Sequence, residues 1–172
     1  MTIALAAAPA SRADDTPLQT KAGDLFKFAL FIDWPASSFS ASGAPFDICV
    51  IGDDPFGPAL DRTMDGQHVG DRTIQVHRLA TSDGAGFCEI AFLAGSAKEP
   101  IKDAIHRLAG APVLTVTDAS ASPGMIDFTD DDARVRFRID DQAAAASGLT
   151  ISSKLLSLAA TVIPRAQKSP AP

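Results

Sequence analysis

Along residues 126–139 apolar and polar positions alternate almost without a break. Val135, Phe137 and Ile139 are interleaved with Arg134, Arg136 and Arg138, the period-two signature of a half-buried strand. Ile126 and Phe128 flank Asp127 in the preceding segment, and the acidic run Asp130-Asp131-Asp132 supplies the turn between them. A hairpin centred on that run pairs Phe128 with Val135, Ile126 with Phe137 and Asp127 with Arg136, so the apolar pairs share one face and the ion pair the other. Beyond it, Leu155, Leu158, Ala159 and Val162 stand at i, i+3, i+4 and i+7, the stripe of a core-facing helix.

Upstream the pattern switches repeatedly between short apolar runs and helical stripes. Leu25, Phe28, Ala29 and Ile32 predict a first helix from about Thr20 to Trp34, stopped by Pro35. A strand follows at Phe46–Ile51, then Gly52-Asp53-Asp54-Pro55, with an Asp cap, leads a short helix over about Pro55–Met64. Strands are predicted at Thr73–Leu79, Cys88–Leu93 and Pro112–Val116. Between the last two, Ser96-Ala97-Lys98-Glu99 reads as a capping box before the stripe Ile101, Ala104, Ile105 and Leu108, which Gly110 ends. Helices resume at about Asp141. Apolar strands alternating with helices define an α/β protein: a mainly parallel sheet with an added antiparallel hairpin and helices on both faces.

Composition narrows the function. The 172 residues are long enough for one real core. A net charge of −6 argues against nucleic acid, whose phosphates require clustered Lys and Arg on a basic surface. No apolar stretch reaches the roughly 20 residues that span a bilayer. Residues 1–15 read as the remnant of a signal peptide, with small residues up to Ala13 before polar Asp14-Asp15 but no basic start, or as a disordered leader. Residues 16–163 form the single domain, and 164–172 a polar, Pro-containing tail expected to be unfolded.

Candidate chemistry is sparse. His68, His77 and His106 lack metal-ligand spacing, and the acidic turn lacks the glycine and glutamate of a calcium loop. A phosphoryl-accepting acid pocket at Asp53-Asp54 would need a further Asp and a Lys at later strand ends, so these acids read as a helix cap. No nucleophile stands with a base, and no cofactor site is expected; the chain reads as a binding protein and not an enzyme. Cys49 and Cys88 are either two buried thiols or a disulfide between strands. Arg134, Arg136 and Arg138 are a solvated face or a docking patch for an acidic partner. Phe26, Phe31 and Trp34 add more apolar residues to the first helix than one buried stripe uses, which makes Phe31 and Trp34 candidates for a partner surface. Lys154, with Ser152 and Ser157, offers it a polar rim beside Leu155 and Leu158.

The segments Phe28–Ile32 with Trp34-Pro35, Phe46–Gly57, Cys88–Phe92, Pro112–Asp118, Gly124–Phe128, Arg134–Phe137 and Leu149–Ala159 occur in an order that resembles the YfiR-type periplasmic proteins, from Lys21 to Ala160. The resemblance implies a bacterial periplasmic regulator, usually a homodimer, that binds and silences the periplasmic region of an inner-membrane diguanylate cyclase and so lowers cyclic-di-GMP signalling. An outer-membrane lipoprotein can sequester such a regulator. The resemblance also places a disulfide at Cys49 and Cys88. Two positions depart from the family pattern. Asp140 stands where Asn is usual, and a second cysteine pair near Asp118–Met125 is absent, so redox control through that pair is not expected. A different reading, a periplasmic small-ligand-binding module coupled to a membrane receptor, predicts an enclosed pocket of about 300 Å³ or more.

Overall fold

The apolar runs of the central strands lie side by side, which is what makes them apolar throughout. The computed structural model describes residues 17–131 and 134–166. Helix α1 (Pro17–Phe31) leads into β1 (Ile32–Asp33), and then come β2 (Phe46–Gly52), α2 (Pro58–Met64), β3 (His68–Val69), β4 (Arg72–Leu79) and β5 (Ile90–Gly95). These are followed by α3 (Ile101–Leu108), β6 (Leu114–Asp118), β7 (Ile126–Asp131), β8 (Arg134–Asp140), α4 (Asp141–Ala146), β9 (Thr150–Ile151), α5 (Ser153–Leu158) and β10 (Thr161–Ile163). Eight strands form one sheet in the order β10-β8-β7-β6-β5-β2-β4-β3, and β1 pairs with β9 in a separate antiparallel ladder. The large sheet is mostly parallel, with antiparallel pairing at β7/β8 and β3/β4.

Alternation along β2 divides the core. Phe46, Ile48 and Val50 pack in a cluster with Leu25, Phe28 and Ala29 of α1 and Leu60 and Met64 of α2. Cys49 and Ile51 pack in another with Ala91 and Leu93 of β5 and Ala104 and Leu108 of α3. Aromatic pairs tie the first cluster: Phe28 stacks on Phe128 at 5.7 Å and meets Phe137 edge-on at 5.1 Å.

Several expected boundaries move, each for a local reason. The first helix stops at Phe31, because Ile32 and Asp33 pair with Ile151 and Thr150, and Trp34 therefore lies outside it. The short second helix begins at Pro58 and not Pro55. Asp54 Oδ1 accepts the Phe56 amide at 2.8 Å, so the Asp-Pro segment is a turn before the helix. Ser96 accepts from the Lys98 and Glu99 amides, but Glu99 does not return to Ser96 with its side chain. Its buried carboxylate instead accepts the amide and hydroxyl of Ser82 at 2.6 and 2.9 Å, so the capping box opens into a long-range tie. The last expected helical stripe also divides: α5 ends at Leu158, which is 64% exposed, and Val162 belongs to β10.

The hairpin keeps the expected faces but not the expected partners. Ile126 faces Ile139, Asp127 faces Arg138, Phe128 faces Phe137 and Thr129 faces Arg136, a shift of two residues from the register read in the sequence. A two-residue shift preserves side-chain parity, so Arg136 remains exposed and Phe137 still turns toward α1. Asp132 of the acidic run expected to form the turn and Ala133 lie outside the described residues, as do residues 1–16, which include the expected leader, and residues 167–172.

Candidate partner-binding surface

The C-terminal end of α1 and the whole of α5 are held together by main-chain bonds. The Ser152 amide donates to the Phe31 carbonyl at 3.0 Å, and the Ser152 hydroxyl accepts from the Leu155 amide, capping α5. This places the Lys154 ammonium 5.1 Å from the centre of the Phe31 ring, within cation–π range. Leu155 turns into the core, while Leu158, one turn beyond Lys154, points to solvent. On α1, Leu30 is 48% exposed beside half-buried Phe31, and the exposed Lys27 pairs with Asp24 at 2.8 Å. Exposed Leu30 thus neighbours Phe31 along α1, and exposed Leu158 lies one turn from Lys154 along α5, at the two helices joined by the Phe31–Lys154 contact.

Trp34 behaves differently. Its ring meets Phe46 edge-on at 5.0 Å and its Nε1 donates to the Glu89 carbonyl at 3.0 Å, so it is an anchor with both its ring and its N–H engaged. Arg134, Arg136 and Arg138 alternate with Phe137, whose ring packs on α1, so the arginine ladder lies on the sheet face away from Phe31 and Lys154. Arg138 is committed: its Nη2 lies 3.1 Å from Asp127 Oδ2. Asp127 is only 1% exposed, because the segment between β6 and β7 folds over it. It accepts from the Thr117 hydroxyl and the Ser120 amide, in addition to pairing with Arg138. The ion pair expected on a solvated face is therefore half interior.

Cys49 and Cys88 are joined by a disulfide with Cα atoms 6.0 Å apart. Cys88 sits just ahead of β5, after a 3₁₀ turn at Ala85–Phe87, and not within a strand. The acidic turn after β2 is structural in the same way: Arg78 spans Asp54 at 2.8 Å and Asp61 at 2.6 Å, and its guanidinium holds the Asp61 carboxyl below the usual carboxylate range. A cavity of about 410 Å³ is an open groove between α2 and β4, lined by Ile74 and Val76 and by Asp61, Arg62, Asp65 and His68. Among the described residues, no group of three or more His, Cys, Asp or Glu could hold a metal ion, and no helix is long and apolar enough to cross a membrane.

Reading the sequence missed Leu30 and the exposure of Leu158. Leu30 was visible as a leucine off the α1 stripe, whereas Leu158 was hidden by a stripe that the end of α5 interrupts. It also missed the cluster of Glu89, Asp47 and His77, in which Glu89 Oε2 accepts the Asp47 amide at 2.6 Å and His77 Nε2 lies 2.8 Å from Asp47 Oδ1. No motif spacing marks those three residues, which come from three strands or strand ends.

The fold is that of a mixed α/β domain, with exposed leucines on α1 and α5 near the Phe31–Lys154 contact in sequence. A family model described as YfiR/HmsC-like matches residues 18–160, and the chain belongs to that family. The family is a regulatory one, periplasmic and associated with membrane diguanylate cyclases. No curated protein matches the chain.

Proposed function

We propose that this protein is a periplasmic, non-catalytic regulator that inhibits an inner-membrane diguanylate cyclase by binding its periplasmic region in a stoichiometric complex. The observation that carries this reading is the exposure of Leu30, next to Phe31 in α1, and of Leu158, one turn beyond Lys154 in α5, apolar surface that solubility alone would disfavour. The lysines suit a partner with an apolar centre and acidic residues at its rim. Trp34 is anchored on Phe46 and Glu89 just past the end of α1, and Arg134 and Arg136, on the opposite side of the sheet, suit a separate contact, such as a second copy of the chain in a homodimer or a sequestering outer-membrane lipoprotein. The two core clusters support a single domain over residues 16–163 with helices on both sheet faces, and the Cys49–Cys88 disulfide suits an oxidising compartment.

In cells carrying the cyclase, Leu158→Asp should raise cyclic-di-GMP to the level of a deletion strain, while the purified variant keeps its melting temperature within a few degrees. A variant that still represses fully would move the interface away from α5. The open groove at α2 and β4 is the place to look for the small-ligand reading, which requires a ligand that stabilises the protein in a thermal-shift screen.

A further inference from the structure

Glu89 is 2% exposed, and no ion pair to it is found among the described residues. Its Oε2 accepts the Asp47 amide, its main chain is fixed to the Asp47 carbonyl and the Leu114 amide, and its carbonyl accepts the Trp34 indole. Facing it are the Asp47 carboxylate from β2, itself paired with His77 of β4, and more distantly Arg72 of β4. Arg72 is occupied with the carbonyls of Ala41 and Ala44 and lies 3.8 Å from the centre of the Phe39 ring. The segment 36–45, which closes over the site, carries no titratable side chain. A cavity of about 70 Å³ separates segment and sheet, lined by Ser38, Phe39, Asp47, Phe87 and Glu89. The Ser38 hydroxyl oxygen is buried there without a hydrogen-bond partner.

We propose that Glu89 is a proton-operated latch for segment 36–45: as a neutral acid it is stable in the dry space beneath the segment, and as a carboxylate, with no cation beside it among the described residues, it draws water into the cavity and lets the segment lift. The Ser38 hydroxyl makes no hydrogen bond to Glu89, so a carboxylate there has the Asp47 amide on Oε2 and no donor from the segment. Burial is the largest influence on the group and pushes its pKa up to about 7, from 4.5; the Asp47 charge adds to this, while the Asp47 amide and Arg72 oppose it. The folded protein therefore takes up this proton more readily than the unfolded chain. Stability from this group is fully present below 4.5 and is lost as pH rises through about 7. A periplasmic protein meets the pH of the surrounding medium, so this window is one it would experience.

Trp34 is the only tryptophan and reports on the latch directly, because its N–H bonds the Glu89 carbonyl. Titrating the intact wild type from about pH 5 to 9 should give one emission transition centred near 7, shifted to the red at high pH, with faster amide exchange in segment 36–45 above the midpoint. Glu89→Gln, neutral at every pH, should give a flat titration and a protected segment throughout. A flat wild-type titration overturns the latch, and so does a transition that persists in Glu89→Gln, which would belong to His77. If Glu89→Gln fails to fold, a wild-type emission transition with no change in amide exchange over segment 36–45 overturns it.

Discussion

Gly52 shows how far a single residue can be dictated by its neighbours. Its φ is +98°, and a Cβ placed there would stand 2.4 Å from the Gly95 carbonyl oxygen, at the point where β2 and β5 end together. Neither the backbone angle nor the space admits a side chain. Gly52→Ala should cost about 2 kcal/mol or more in urea unfolding, well above an ordinary glycine-to-alanine change in a loop. Asp127 is the second such residue, an acid interior to the fold and bonded to Thr117, Ser120 and Arg138. Asp127→Ala should destabilise by roughly 3 kcal/mol, because it leaves a half-buried guanidinium and a buried hydroxyl without their acceptor. A loss under about 0.5 kcal/mol would show that Asp127 acts as a screened surface acid.

At the scale of elements, alternation in the sequence identified which residues of β7 and β8 face α1, since parity along a strand is set by burial. It could not choose between registers two residues apart, which bury the same side chains. That choice follows from contacts outside the hairpin, chiefly the polar cage that holds Asp127 beneath the segment 119–124 and opposite Arg138. Helix ends were misread wherever a distant strand captured the chain, as Thr150 and Ile151 capture Asp33 and Ile32. The disulfide closes a 39-residue separation between β2 and the entry to β5. Replacing both Cys49 and Cys88 by Ala should lower stability by about 4 kcal/mol at most in the chain-entropy account, measured by denaturant unfolding without reductant. An unchanged midpoint would mean that the bridge contributes nothing beyond the packing around it.

For the molecule as a whole, the α/β class could be read from the order of apolar runs, but the contact face could not. Phe31 and Lys154 are remote in sequence and meet only because β1 pairs with β9 and Ser152 caps both helix ends. Trp34 looked equally eligible by composition, yet the early end of α1 turns it inward onto Phe46 and Glu89. The arginine ladder was read correctly as one face of β8, but its place opposite α1 separates it from the helix surface. On the proposed reading, a regulator acting by direct association would use the surface at α1 and α5, with the arginines across the sheet left for a second contact. The most direct test is calorimetric titration of the purified protein with the periplasmic region of a membrane diguanylate cyclase from the same cell. Saturable binding at a fixed stoichiometry is predicted, weakened by about 2 kcal/mol or more, some thirtyfold in Kd, by Leu158→Asp in a variant that remains folded. No binding by the wild-type protein would contradict the account.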